Sequence, residues 1–425
     1  MRKHSRCTTA SSDSTNLKNQ RALKDLFSLF AIIALLFLFG CTMLYSTSSS
    51  TKGSSYLIKQ LIWACVGGTA GLSVWFLGFK RLCRWSIIQL VLVIALLFIA
   101  RFFFDPIKGA YRWIRVPGIG NMQPSEFAKL ALIFYMAKFC SDRTRQLARL
   151  PVEFFKGCYN LVTYPSKKNT EYLSLVAAVS LPLATLGSIL LGKDLGATVL
   201  GGAIAVTILF VAGFPLRFYL GIIPLAISAV FYIKHFDAMR WARMTVYLDP
   251  EQLANDKGYQ LWNSLLALGS GSWQGLGITE SRMKHSYLPE AHTDFILSIV
   301  GEELGFIFIV GIIVVYAAIA FYGFRIAMAA SSRIGMYAAT GATSLIVFQS
   351  YINIGVVCGA LPTKGMPAAF ISYGGSNLVI SLMCIGILTS VVHDAIEPDY
   401  HKTMWQKVRE MLFGRQTVTQ KNRVL

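Results

Sequence analysis

Charged side chains are scarce in this chain. They make up 14% of its 425 residues, against roughly 25% in an ordinary soluble domain. Acidic residues are the scarcer sign, 21 against 40 Lys and Arg, for a formal net charge of +19. No hydrophilic stretch between the apolar runs is long enough to fold alone, which excludes a soluble enzyme and a membrane-anchored soluble domain. Cysteines number eight, none in the longest hydrophilic segment and no pair at metal-ligand spacing, so neither a disulfide framework nor a zinc site is implied. There is no repeat period and no matched pair of broken spans, the pattern of an inverted-repeat transporter. No basic stripe with interleaved aromatics lies on a soluble segment, so nucleic acid is not an expected partner. The polar, basic N-terminus precedes a full-length apolar span with no small-residue cleavage site, unlike a cleavable signal peptide.

What fills the chain is apolar. Hydrophobic residues reach 54%, and runs of about 20 residues recur, each able to cross a bilayer core of about 30 Å. Ten spans are expected, near residues 26–46, 56–79, 85–104, 125–139, 172–192, 195–213, 218–235, 295–322, 335–361 and 368–392. The fourth is short and carries Lys129. The expected fold is therefore all-α, a polytopic integral membrane protein. With the N-terminus inside, 25 Lys and Arg fall in inner segments and 12 in outer ones. The positive-inside rule then puts both termini in the cytoplasm and the large loop between the seventh and eighth spans outside. This gives a Ser/Thr/Asn-rich tail over 1–24, expected to be disordered, a membrane domain over 25–395 with its outer loop at 236–294, and a second cytoplasmic tail over 396–425. The net charge is mostly a topology signal, with some attraction to anionic lipid in the bilayer.

The densest chemistry lies at the mouth of the eighth span. Leu288-Pro289-Glu290-Ala291-His292-Thr293-Asp294-Phe295 is followed by Gly301-Glu302-Glu303-Leu304, and ionised groups at membrane depth mark a functional site. Asp294 reads equally as a helix N-cap or as a catalytic carboxylate. His292 reads as a hydrogen-bonding structural residue or a proton shuttle. Of Glu302 and Glu303, one is expected to face a polar interior and the other to meet water or a base. Upstream in the loop, Gly258 to Leu268 has the spacing of an interfacial helix. Gly269 to Gly277 resembles a phosphate-binding loop only superficially, since no strand precedes it, and reads as a flexible connector or a close backbone approach to substrate.

Two further constellations face the same side. Gly109 to Ile114 and Gln123-Pro124-Ser125-Glu126-Phe127-Ala128-Lys129 bracket the fourth span, where Glu126 and Lys129 share a helix face and can form an ion pair. Near the other end, Leu361 to Pro367, with Lys364, leads to Phe370-Ile371-Ser372-Tyr373-Gly374-Gly375-Ser376-Asn377, whose paired glycines suggest a helix break lining a cavity.

These strings, together with Arg112-Trp113, Asp194-Leu195-Gly196, Gly258-Tyr259-Gln260-Leu261 and Asn353-Ile354-Gly355, resemble the SEDS family (shape, elongation, division and sporulation), which groups FtsW, RodA and SpoVE. The resemblance covers roughly residues 25–395. Ala291 and the 370–376 string are similar to the FtsW branch more than to RodA. It implies a peptidoglycan glycosyltransferase that polymerises lipid II into glycan strands during bacterial cell division. The expected setting is the plasma membrane at the division site, beside an FtsI-like class B penicillin-binding transpeptidase and other divisome proteins. It also implies that Asp294 is catalytic. Arg112, Arg243 and Lys364 become candidates for the substrate pyrophosphate, and Glu290, His292 and Ser372 for other substrate contacts, with Glu126, Lys129, Glu302 and Glu303 in support.

The chemistry is consistent. A sugar hydroxyl attacks an anomeric carbon while a lipid pyrophosphate departs, which needs a base. It also needs fixed Arg and Lys side chains, or a divalent cation such as Mg or Mn, to meet the leaving charge. Two departures stand out. Gly192-Lys193 precedes Asp194 where the family usually has Gln-Pro, and Pro367-Ala368-Ala369 stands where it usually has Pro-Leu-Pro. Two other functions share the motifs: a flippase for the same lipid-linked precursor, and an idle scaffold for the transpeptidase. Against the flippase stands the gathering of charge at one face, where a transporter prefers a midplane site.

Overall fold

The computed structural model describes residues 4–49, 55–106, 110–116, 120–142 and 169–215, then most residues from 219 to 397. Its helices are α1 (His4–Ser49), α2 (Ser55–Leu77), α3 (Phe79–Arg84), α4 (Ser86–Phe103), α5 (Pro124–Asp142), α6 (Asn169–Leu191), α7 (Leu195–Val211), α8 (Tyr259–Gly271), α9 (Ile296–Leu304), α10 (Phe306–Ala329), α11 (Arg333–Val357) and α12 (Gly375–Ile396). Six contain stretches long and apolar enough to cross a membrane: Lys18–Ser48, Ser55–Leu77, Ser86–Phe103, Phe306–Ala329, Arg333–Val357 and Gly375–Ile396. Val179–Leu191 and Leu195–Val211 are shorter apolar helices. The chain is a helical, multi-pass membrane protein. The expected seventh span, 218–235, lies partly outside the described residues.

The fourth expected span is α5, and its weak apolar signal has a physical cause. It carries Glu126, Lys129, Lys138 and Asp142, yet most of its surface is buried. A helix wrapped by other helices does not face lipid, so it need not be uniformly apolar. Beside α5 packs α11, also largely buried, while α4 and α10 turn much of their surface outward. The α2–α12 pair is held close by small residues. A Cβ on Gly386 would lie 2.2 Å from the Gly71 carbonyl oxygen, and one on Gly67 would meet Leu382. Small residues four apart let two backbones touch where apolar burial supplies no drive between helices.

Residues 4–24 continue α1 as helix, since propagation from a formed span costs little per residue. Two expectations need correction. The eighth span is not one helix: Gly305, at φ 83, separates α9 from α10. The tenth begins at Gly375, and residues 359–374 before it are irregular. The only strands among the described residues form one short hairpin, β1 (Ile114–Val116) against β2 (Gly120–Met122), with Ile114 opposite Met122. So short a hairpin needs outside support. Tyr111 N–H donates to the Gly192 carbonyl at 3.1 Å and Gln123 N–H to Ser376 Oγ at 3.2 Å, which dock it on the bundle and fix Arg112 between.

Candidate active site

Residues 288–295 form successive turns that end at α9. Thr293 and Phe295 both donate their N–H to the Glu290 carbonyl, each at 3.2 Å. The N-cap is Phe295, with no side-chain capping bond, so Asp294 does not cap this helix. Its backbone carbonyl is instead held from α11. Asn353 Nδ2 donates to the Asp294 carbonyl at 2.7 Å and to the Met366 carbonyl at 2.6 Å. One amide thus clips the Asp294 turn to the irregular 359–374 segment.

That segment is buried over Ala368–Ser372, where each backbone polar group needs a partner. Gln349 Nε2 donates to the Pro367 carbonyl at 3.0 Å, Ser350 Oγ accepts from Ala369 N–H at 3.3 Å, and Tyr316 Oη donates to the Ala369 carbonyl at 2.5 Å. Gln349, Ser350 and Asn353 lie on successive turns of α11, so one helix face sets the segment's path. Ser372, expected among the substrate contacts, is 2% exposed and its hydroxyl accepts from Ala368 N–H at 2.8 Å. It shapes the segment from within.

The segment carries Gly365 and Lys364 to the Asp294 turn. A Cβ placed on Gly365 would lie 2.9 Å from Asp294 Oδ2 and 3.6 Å from Arg112 Nη2. The carboxylate and the guanidinium therefore converge on one bare backbone position. Arg112 Nη1 lies 3.7 Å from Asp194 Oδ1, and its buried Nε has no hydrogen-bond partner. Burial pushes the Lys364 ammonium below the ordinary lysine value, while Asp194 opposes the shift. Asp194 itself accepts from Gln123 Nε2 and Ser125 Oγ, both at 2.9 Å, and caps α7 by accepting from Ala197 N–H at 3.1 Å. This aspartate, which the site residues chosen from the sequence omit, sits at the centre of the basic group. Taken locally, an acidic residue ahead of an apolar run is indistinguishable from a plain N-cap; the signal that could have found it is the Asp194-Leu195-Gly196 string, which resembles the family's. Arg243 lies outside the described residues. Among the described residues there is no group of three or more His, Cys, Asp or Glu able to hold a metal ion.

A family model described as a cell cycle protein, covering FtsW, RodA and SpoVE, matches residues 20–396. The chain belongs to the FtsW/RodA/SpoVE family. The probable peptidoglycan glycosyltransferase FtsW of Trichlorobacter lovleyi is 37% identical over 380 residues, spanning 86% of this chain and 92% of that relative. The Bacillus subtilis protein of the same name is 31% identical over 86% of this chain and 90% of its own length. Among solved structures, a chain of a peptidoglycan synthase complex superposes with a TM-score of 0.69 at 24% identity, covering 87% of this chain and 98% of that one. Thermus thermophilus RodA gives 0.61 at 24% identity, over 87% and 97%. These likenesses establish the fold.

Of the other FtsW/RodA/SpoVE motifs, some pack beside this centre and others away from it. The His292 ring stacks on Tyr56, centroids 4.2 Å apart, and its carbonyl accepts from Tyr373 N–H at 2.9 Å. Glu290 Oε2 accepts from Thr293 Oγ1 at 2.8 Å. Lys129 Nζ donates to Glu126 Oε1 at 2.8 Å and to Gln349 Oε1 at 3.1 Å, so the expected ion pair reaches the residue that holds Pro367. Glu302 and Glu303 are both 1% exposed, and neither meets water. Glu302 accepts from Ser281 Oγ and from Arg282 N–H at 2.9 Å, whereas Glu303 accepts from Lys284 Nζ at 3.0 Å and from Ser46 Oγ. They bind the 279–284 stretch to α9 and α1, away from Asp294. The glycine run packs there too. A Cβ on Gly271 would lie 1.9 Å from the Gly301 carbonyl oxygen and one on Gly275 2.2 Å from that of Glu303. The close backbone approach seen here is to α9, where the sequence suggests substrate.

Proposed function

We propose that this protein is a peptidoglycan glycosyltransferase that polymerises lipid II into glycan strands, with Asp294 as general base. The observation that carries the reading is the convergence of Asp294 and Arg112 on Gly365, beside Lys364, in a member of the FtsW/RodA/SpoVE family. The similarity to relatives called probable peptidoglycan glycosyltransferases supplies the reaction class.

In this reading Asp294 takes the proton of the acceptor sugar hydroxyl as its oxygen bonds to the donor's anomeric carbon. The bond from that carbon to the pyrophosphate breaks, and the carbon inverts. Arg112 and Lys364 meet the charge that grows on the departing lipid pyrophosphate. Positive groups held in place before the reaction need no reorganisation as that charge appears. Asp194 holds Arg112 in position. The positive-inside bias puts this end of the bundle outside the plasma membrane, where a lipid-anchored sugar can enter from the outer leaflet. The resemblance to the FtsW branch supports a role at the division site, with an FtsI-like class B transpeptidase and other divisome proteins as partners.

The test uses purified protein with its cognate transpeptidase in liposomes, fluorescent lipid II, and a gel that resolves glycan strands. Strands from the wild type but not from Asp294→Ala are expected. Strands from both would retire Asp294 as the base. Strands from neither, where a related polymerase succeeds, would move the assignment to a flippase or a scaffold.

A further inference from the structure

Outside the Asp294 centre, a groove of about 680 Å³ opens between α4 and α6, lined by Ile94, Phe98, Ala184, Gly187, Leu191 and Lys193 among others. Ile94 and Phe98 are four apart on α4. Ala184, Gly187 and Leu191 follow one face of α6, covering about 10 Å of helix. Nothing lies within 4 Å of a Cβ placed on Gly187, so its small size leaves open space.

The groove has a basic end. Arg101, one turn beyond Phe98, lies over the Tyr111 ring, 4.1 Å from its centroid. Tyr111 is tied to Gly192, and the next residue is Lys193, exposed at the end of α6. Lys193 adopts a left-handed backbone, φ 63, a conformation that favours glycine at a helix C-terminus. A lysine kept in such a place is an outlier that calls for a reason. Asp194 follows it, 3.7 Å from Arg112. An apolar trough thus leads toward Arg101, Lys193, Arg112 and Lys364, four cations that share the carboxylates of Asp194 and Asp294.

We propose that the α4–α6 groove seats the polyprenyl chain of the donor lipid, with Lys193 contacting its pyrophosphate beside Arg112. The charge pattern favours this occupant over an ordinary phospholipid. A pyrophosphate carries more negative charge than a phosphodiester headgroup, and the cluster holds several cations. The proposal rests on the glycosyltransferase reading above, and it makes Lys193, where the family usually has proline, a substrate-positioning residue of this chain.

The test measures binding separately from polymerisation. The full chain in phosphatidylcholine nanodiscs is photolabelled with a diazirine-bearing polyprenyl pyrophosphate, and labelled peptides are mapped by mass spectrometry. Label is expected within 94–98 and 184–191, removed by excess unlabelled polyprenyl pyrophosphate but not by phosphatidylglycerol. Gly187→Trp should cut labelling at least tenfold, while Gly202→Trp, which also points into open space on α7, should not. Lys193→Gln should weaken competition by about tenfold, the size of one charge-assisted contact. Equal competition by phosphatidylglycerol would make the groove a general lipid seat and overturn the proposal, as would unchanged labelling of Gly187→Trp. A wild type that labels in the groove yet makes no strands would sink the glycosyltransferase reading and leave the groove standing.

Discussion

Asp294 Oδ2 and Arg112 Nη2 meet across Gly365, 2.9 and 3.6 Å from where a methyl group on that glycine would stand. In the reading proposed above, the reacting sugar phosphate lies between this carboxylate and this guanidinium. Gly365→Ala puts one carbon into that gap at a backbone conformation alanine tolerates. Polymerisation should fall by ten- to a hundredfold, the scale of an ångström's misplacement at a reacting centre. The melting temperature should hold. A loss of activity matched by a loss of stability would assign Gly365 to packing alone.

Lys364 supplies a pH test. Burial lowers its pKa, so the ammonium gives up its proton at a lower pH than the roughly 10.4 of a free lysine. Activity that needs this charge is full below the lowered pKa and lost as pH rises through it. Stability has the opposite sign. In that window the unfolded chain binds more protons than the folded one, so the fold gains stability as pH rises. Lys364→Arg, charged throughout, should move the alkaline limb of the rate profile upward. An unmoved limb would free Lys364 of the role.

The Lys284–Glu303 pair, 2% and 0% exposed, holds the 279–284 stretch onto α9. Lys284→Met alone leaves a buried carboxylate without its cation and should cost about 3–5 kcal/mol. Lys284→Met with Glu303→Leu should recover much of that loss, because no uncompensated charge remains. Thermal unfolding of both variants in detergent decides it, and a double variant as unstable as the single one would contradict the pairing.

Gly275 stands at φ 81 with its hydrogen aimed at the Glu303 carbonyl. Gly275→Ala should destabilise by roughly 3 kcal/mol, from the left-handed backbone and the collision together. Gly311→Ala in α10, with nothing within 4 Å of the new methyl, should be neutral or slightly stabilising. Comparable melting temperatures for the two would remove the packing argument.

Much of the membrane fold is readable from composition, because a bilayer demands long apolar runs and each run announces itself. The places where that reading slips have local causes. α5 carries four charges because its neighbours, not lipid, surround it. The eighth span breaks at Gly305, a residue whose positive φ no hydropathy average registers. The Asp294 string stands out in the sequence because carboxylates at a span mouth are costly.

The sequence by itself determined the class and the family, since these rest on local composition and on ordered strings of residues. Only the tertiary structure decided which of the charged candidates lie close together. Asp294, Arg112 and Lys364 come from segments far apart in the chain, and their meeting depends on Asn353 and Gln349 gripping the 359–374 segment. The same folding turned Glu302 and Glu303, eight and nine residues after Asp294, toward Ser281 and Lys284 instead. Hydrogen bonds between distant segments have no period and leave no mark on neighbouring residues, so only the packed chain reveals them.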